Sequence, residues 1–194
     1  MNKKNVTHKK IIPKKIYRET TIALSYYPEL SDVRIEFKFK DNITKSFMQA
    51  QPGFVSLLGP KKNRKYFVFV STKFNIENAE FTVEDVPSDV LIGWLGHELG
   101  HIMDYLNRSS INLIFFGIKY LLLHEHVKSA ERTADTYAIA NGMSNYIIET
   151  KKFILNHTSL SQTYKQKIQR LYLAPEEIVK IANKLKDSIP EKFH

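Results

Sequence analysis

The 194-residue sequence contains no cysteine. That excludes a disulfide scaffold, Cys-ligated zinc ribbons, iron–sulfur clusters and thiol catalysis. Any metal must then be held by His, Asp or Glu. No stretch reaches the ~18 to 20 apolar residues of a membrane-spanning helix. No apolar segment follows the N-terminal lysines, so a signal peptide is not expected and the expected location is cytoplasmic. There is no internal repeat. Acidic residues are missing from positions 1–18, which instead hold Lys3, Lys4, Lys9, Lys10, Lys14, Lys15 and Arg18.

Those seven residues supply most of the formal net charge of +9. The rest of the chain is close to neutral. A basic arm can contact nucleic acid or an anionic membrane surface, or simply be solvated. Hydrophobic residues make up 43% of the chain, too many for disorder throughout. The expected organisation is a flexible arm over 1–15 and one domain over 16–194.

Ile16 to Tyr27 reads as a helix closed by Pro28. Arg34 to Lys40 alternates strictly, with Ile35, Phe37 and Phe39 on one face, as a half-buried strand does. Ile43 to Gln49 is its expected hairpin partner across Asp41-Asn42, and Tyr66 to Ser71 is a third, strongly apolar strand. From Ser88 onward the patterns are helical. Ser88 is the expected N-cap of a helix over 89–106. Further helices are expected over 127–141, 144–155, 162–173 and 175–186. The fold class is therefore α+β, with a small, mostly antiparallel sheet near the N-terminus packed on helices.

Positions 97–101 read His97-Glu98-Leu99-Gly100-His101 inside the helix 89–106. Side chains four apart on a helix project from one face, so both imidazoles can share one metal ion. Glu98 points partly aside, within reach of a water on that metal. Neutral imidazole suits Zn²⁺. The plainer alternative is a surface helix that happens to carry two histidines. Val90, Leu91, Ile92, Trp94 and Leu95 before the motif, with Leu99 and Ile102, argue instead for a buried helix. Buried histidines need partners.

A catalytic zinc needs a third protein ligand and an open position. Position 104 is Asp and position 107 is Asn, so no third histidine continues the motif. Glu131 is the best third ligand, with Asp135 one turn on to fix the tautomer of a ligating histidine. His124 or His126 could replace Glu131, but the expected role of both is to cap the helix or line the edge of the site. Asp104 shares a face with His101 and could bond its ring or face solvent.

HELGH at 97–101 followed by ExxAD at 131–135 resembles the gluzincin pattern of the M48-type metallopeptidases. That group includes CAAX-processing proteases, HtpX heat-shock proteases and soluble minigluzincins, the last being similar in size. The resemblance rests on about 40 residues. It implies a zincin-like helical core, zinc on His97, His101 and Glu131, Glu98 as general base, and Asp135 behind the ligands. It further implies a peptide or protein substrate docked on a strand above the motif helix, expected to be Tyr66 to Ser71. His157, Tyr164 and Arg170 are its candidates for stabilising the oxyanion. In the membrane-bound relatives the interval between the motifs spans the membrane. Here Ile111 to Leu123 is too short, and a buried core helix or hairpin is expected, with an interfacial segment and a peripheral membrane location as the alternative.

Two rival functions remain open at this level. One is a non-catalytic zinc-binding or interaction protein on the same fold, which would not need Glu98. The other is a DNA-associated metalloprotease using the basic arm. Relatives of that kind, resembling SprT, usually add a third histidine and a Cys zinc ribbon, both absent here.

Overall fold

The computed structural model describes residues 9–187 apart from 42, 44, 45, 77, 78, 158 and 159. Strands β1 (Lys10–Ile11), β2 (Arg34–Lys40), β3 (Met48–Pro52) and β4 (Lys65–Ser71) form one sheet in the order β1-β2-β4-β3. Helix α1 (Tyr17–Ser25) lies between β1 and β2 in the chain. A two-stranded ribbon, β5 (Phe74–Ile76) and β6 (Ala79–Phe81), leads into the helical half. That half comprises α2 (Ser88–Leu106), α3 (Ser110–Leu122), α4 (His124–Ala140), α5 (Ser144–Asn156), α6 (Gln162–Leu171) and α7 (Pro175–Asp187).

The fold class is α+β as expected, but the sheet is mixed rather than mostly antiparallel. β1 and β4 both run parallel to β2, and only β3 with β4 is antiparallel. The expected hairpin does not form, because β4 inserts between β2 and β3. Its composition explains the choice. Tyr66, Val68 and Val70 are fully buried on one face, and Phe67 and Phe69 stack on the other. The strand with apolar residues on both faces takes the centre.

The described part of the basic arm is built into the fold. Lys10 lies in β1, is buried, and donates to the carbonyls of Leu30, Ser31 and Val33 at 2.7, 3.1 and 2.6 Å. Lys9 pairs with Asp32. Lys3 and Lys4 lie outside the described residues.

Ile35 and Phe37 of β2, Val68 and Val70 of β4, and Leu95, Leu99 and Ile102 of α2 share one core. Burying each of these contributes about 1.5–3 kcal/mol. The Tyr27 hydroxyl donates to the Gly96 carbonyl at 2.7 Å and fastens the end of α1 to the middle of α2. Ser88 does not cap α2. It is the first helical residue, and its hydroxyl donates to Glu19 instead.

Candidate metal centre

Helix α2 is enclosed along almost its whole length, because α4 and α5 approach its backbone directly. A Cβ on Gly100 would meet the Ala134 carbonyl oxygen at 2.4 Å, and one on Gly93 would meet the Tyr146 carbonyl oxygen at 2.4 Å. Glycine at these points lets the helices touch backbone to backbone. The close approach at Gly100 carries Glu131 of α4 to the histidines of α2.

His97, His101 and Glu131 are buried, and one ligand atom from each lies within 4.8 Å of the others. His97 Nε2 is 3.0 Å and His101 Nε2 3.6 Å from Glu131 Oε2. Two ligands of one tetrahedral zinc, each ~2.0–2.1 Å from the ion, would stand about 3.4 Å apart. The spacing therefore fits a metal ion with little rearrangement, and this buried group could hold one. Among the described residues it is the only such group of His, Asp and Glu.

Asp135 is fully buried one turn beyond Glu131 and accepts from His97 Nδ1 at 2.9 Å. With Nδ1 donating, neutral His97 keeps its lone pair on Nε2, the atom facing the group. Asp135 also accepts from Lys151 at 3.1 Å and from the Leu173 backbone N–H at 3.2 Å. The second oxygen of Glu131 accepts from the Tyr120 hydroxyl at 2.6 Å. Each carboxylate is thereby fixed in place.

The charges follow. Burial alone would lower the His97 pKa, but Asp135 and Glu131 outweigh it and push the metal-free imidazole up to about 10. Burial would raise Glu131, yet His101 and His97 hold it well below the usual carboxylate range. Asp135 is likewise lowered, with Lys151 and His97 outweighing burial. Glu98 goes the other way. Its burial dominates and raises its pKa, though His101 and His97 partly oppose this. A buried carboxyl whose pKa is raised suits proton transfer. Its Oε2 accepts from the Ala50 backbone N–H of β3 at 2.6 Å.

The structure corrects several expectations. His124 and His126 do not join the group. His124 is exposed on the rim of a cleft, and His126 packs on Phe116 with ring centres 4.8 Å apart. Asp104 does not reach His101. It forms a paired salt bridge with Arg108 at 2.9 and 3.0 Å. His157 stacks on Phe81 and meets Phe153 edge-on, whereas Tyr164 and Arg170 line the cleft beside His97 and Glu98. The strand Tyr66 to Ser71 cannot dock a peptide, since β2 and β3 occupy both its edges. The strand against α2 is β3.

Lys151, Tyr120 and Tyr172 were not anticipated. Lys151 was detectable in principle: Ile147, Thr150, Lys151 and Ile154 form the buried stripe of α5, and a lysine in such a stripe signals a buried acid. Its ammonium also lies 4.0 Å over the Tyr172 ring, which stands 5.5 Å from His97.

Two clefts, of about 550 and 530 Å³, meet at the group. Both are lined by Glu98, Glu131, Tyr120 and Tyr172, and both run along Met48 and Gln49 of β3. No family profile, curated protein or solved structure matches the chain.

Proposed function

We propose that the protein is a zinc-dependent metallopeptidase of gluzincin type. The observation that carries this reading is the convergence of His97, His101 and Glu131 next to a buried Glu98 that is not one of the three. A site serving only to bind metal would gain nothing from burying that carboxyl group, which costs stability. The nearly equal clefts on either side give an extended chain room to pass the group.

His97, His101 and Glu131 would hold the ion, and bound zinc supplies Lewis acidity to a carbonyl and to a water. Asp135 holds the His97 ring with Nε2 towards Glu131, the side on which the ion would be held. Lys151 balances the charge of Asp135. Glu98 accepts the proton of the attacking water and returns it to the leaving amine. The edge of β3 that faces away from β4 lies along both clefts, and an extended peptide would pair with it beside Ala50, whose N–H and carbonyl are held by Glu98 and Tyr105. Tyr164, Tyr172 and Arg170 line the same cleft as Glu98 and are the candidates to steady the developing oxyanion.

The test is Glu98→Gln, which keeps the shape and removes the base. The variant should fold and retain zinc while cleavage of an unfolded protein substrate falls by ~10² to 10⁴. Cleavage unchanged by the substitution would overturn the assignment.

A further inference from the structure

Ile111 to Leu123 forms a helix, as α3, but not a buried one. Positions 113, 116 and 120 share one face. On it Leu113 and Phe116 are buried, and Tyr120 reaches Glu131. The opposite face holds Ile111, Ile114, Phe115, Ile118 and Leu122, within about 60° of one direction on a helical projection. These are exposed, Ile111 by 70% and Leu122 by 73%. α3 is thus apolar on two sides and covered on one.

A second apolar element stands beside it. The short 3₁₀ segment Phe54–Leu58 exposes Phe54 by 73%, Val55 by 81% and Leu58 by 80%. Two observations place it next to α3. Phe54 and Leu57 line the same 530 Å³ cleft as Ile114 and Ile118. Buried Arg64 donates to the Arg108 carbonyl at 2.7 Å and to the Ser110 hydroxyl at 3.0 Å, tying this loop to the first turn of α3. Val55, Leu58, Ile111 and Phe115 are exposed and line neither of the two clefts. This surface is therefore more than a wall for substrate.

Its charge selects the partner. Positions 42–76 contain no Asp or Glu, and neither do positions 105–124. Lys61, Lys62 and Lys119 are exposed on these segments. Apolar side chains set among cations without acids match an anionic lipid surface, where the first enter the headgroup region and the second meet phosphates.

We propose that the outer face of α3 and the segment Phe54–Leu58 together dock this protein on an anionic membrane surface. The docking is peripheral: among the described residues no helix is long and apolar enough to cross a membrane. It would place the 530 Å³ mouth of the metal centre against the bilayer. The proposal stands on surface residues and is independent of which metal the site takes.

Cosedimentation of the full chain with phosphatidylcholine vesicles, with and without phosphatidylserine, tests it. The wild type should bind the mixed vesicles and only weakly the neutral ones. Val55→Ser/Leu58→Ser/Phe115→Ser, all on the outside, should keep its zinc and lose binding by about tenfold or more. Lys61→Ala/Lys62→Ala should weaken it about fivefold per lysine at low salt. Lys3→Ala/Lys4→Ala should leave it unchanged. Absence of wild-type binding would overturn the proposal. So would binding lost in the Lys3/Lys4 variant but kept in the serine variant, which would assign it to the arm. A wild-type dimer that the serine variant makes monomeric, without vesicle binding, would assign the face to a second copy. A chain that binds vesicles but no zinc would leave this proposal standing and remove the catalytic one.

Discussion

Helices α2 and α3 follow one another in the chain and are both rich in apolar residues, yet they meet their surroundings in opposite ways. α2 is enclosed by α1, α4, α5 and β3, and beyond its first turn its charged and imidazole side chains are buried. His97, Glu98 and His101 are all buried there. α3 has one covered face and shows Ile111, Phe115 and Leu122 to solvent. In α2 the anomaly is polarity inside, which Glu131 and Asp135 of α4 meet and where a metal ion could sit. In α3 the anomaly is apolarity outside, the feature on which the docking proposal rests. Apolar content alone does not separate the two cases. Neighbours do.

The glycines sharpen the contrast most. Gly100→Ala in α2 drives a methyl group against the Ala134 carbonyl, so α4 must retreat and take Glu131 with it. The expected cost is about 1–3 kcal/mol of unfolding free energy, read by denaturant titration, with weaker zinc binding. A neutral result would mean that the two helices do not touch as described.

The second test exploits the charges packed around α2. The folded, metal-free pKa of His97 is raised from 6.5 to about 10. Its cationic form therefore stabilises the metal-free fold fully below pH 6.5, and that contribution is lost as pH rises through about 10. Zinc requires the neutral ring, so binding releases this proton at any pH below about 10. Zinc affinity should rise by about tenfold per pH unit from neutrality towards 10, read by competition with a chelator. A flat profile would show that Asp135 and Glu131 do not hold the His97 proton.

The smallest effect belongs to α3. A Cβ on Gly117 meets nothing within 4 Å. Gly117→Ala should therefore raise stability by about 0.5–1 kcal/mol, the ordinary gain from removing a helical glycine. A loss of stability would mean that the side of α3 along the 530 Å³ cleft, which Gly117 lines, is covered in the protein.

Much of this was legible from residues alone. The spacing of His97 and His101 placed both on one helical face, and the apolar residues around them foretold burial. Glu131 and Asp135 were readable as a pair one turn apart. Strand pairing was not, because alternation reports which face a strand buries and not which neighbour it finds. That is why β4 displaced the expected hairpin. Tyr120 was missed because a polar residue in an apolar run reads as an interruption, whereas its phase with Leu113 and Phe116 turns it towards Glu131. The exposure of α3 was hidden for the same reason: periodicity cannot distinguish a helix covered all round from one awaiting a partner.

The central claim is that α2 and α4 build one metal centre between them. Zinc content of the purified chain, wild type beside Glu131→Ala, tests it most directly. The account predicts about one zinc per wild-type chain and a large loss in a variant that still folds. Full retention of zinc in Glu131→Ala would contradict it.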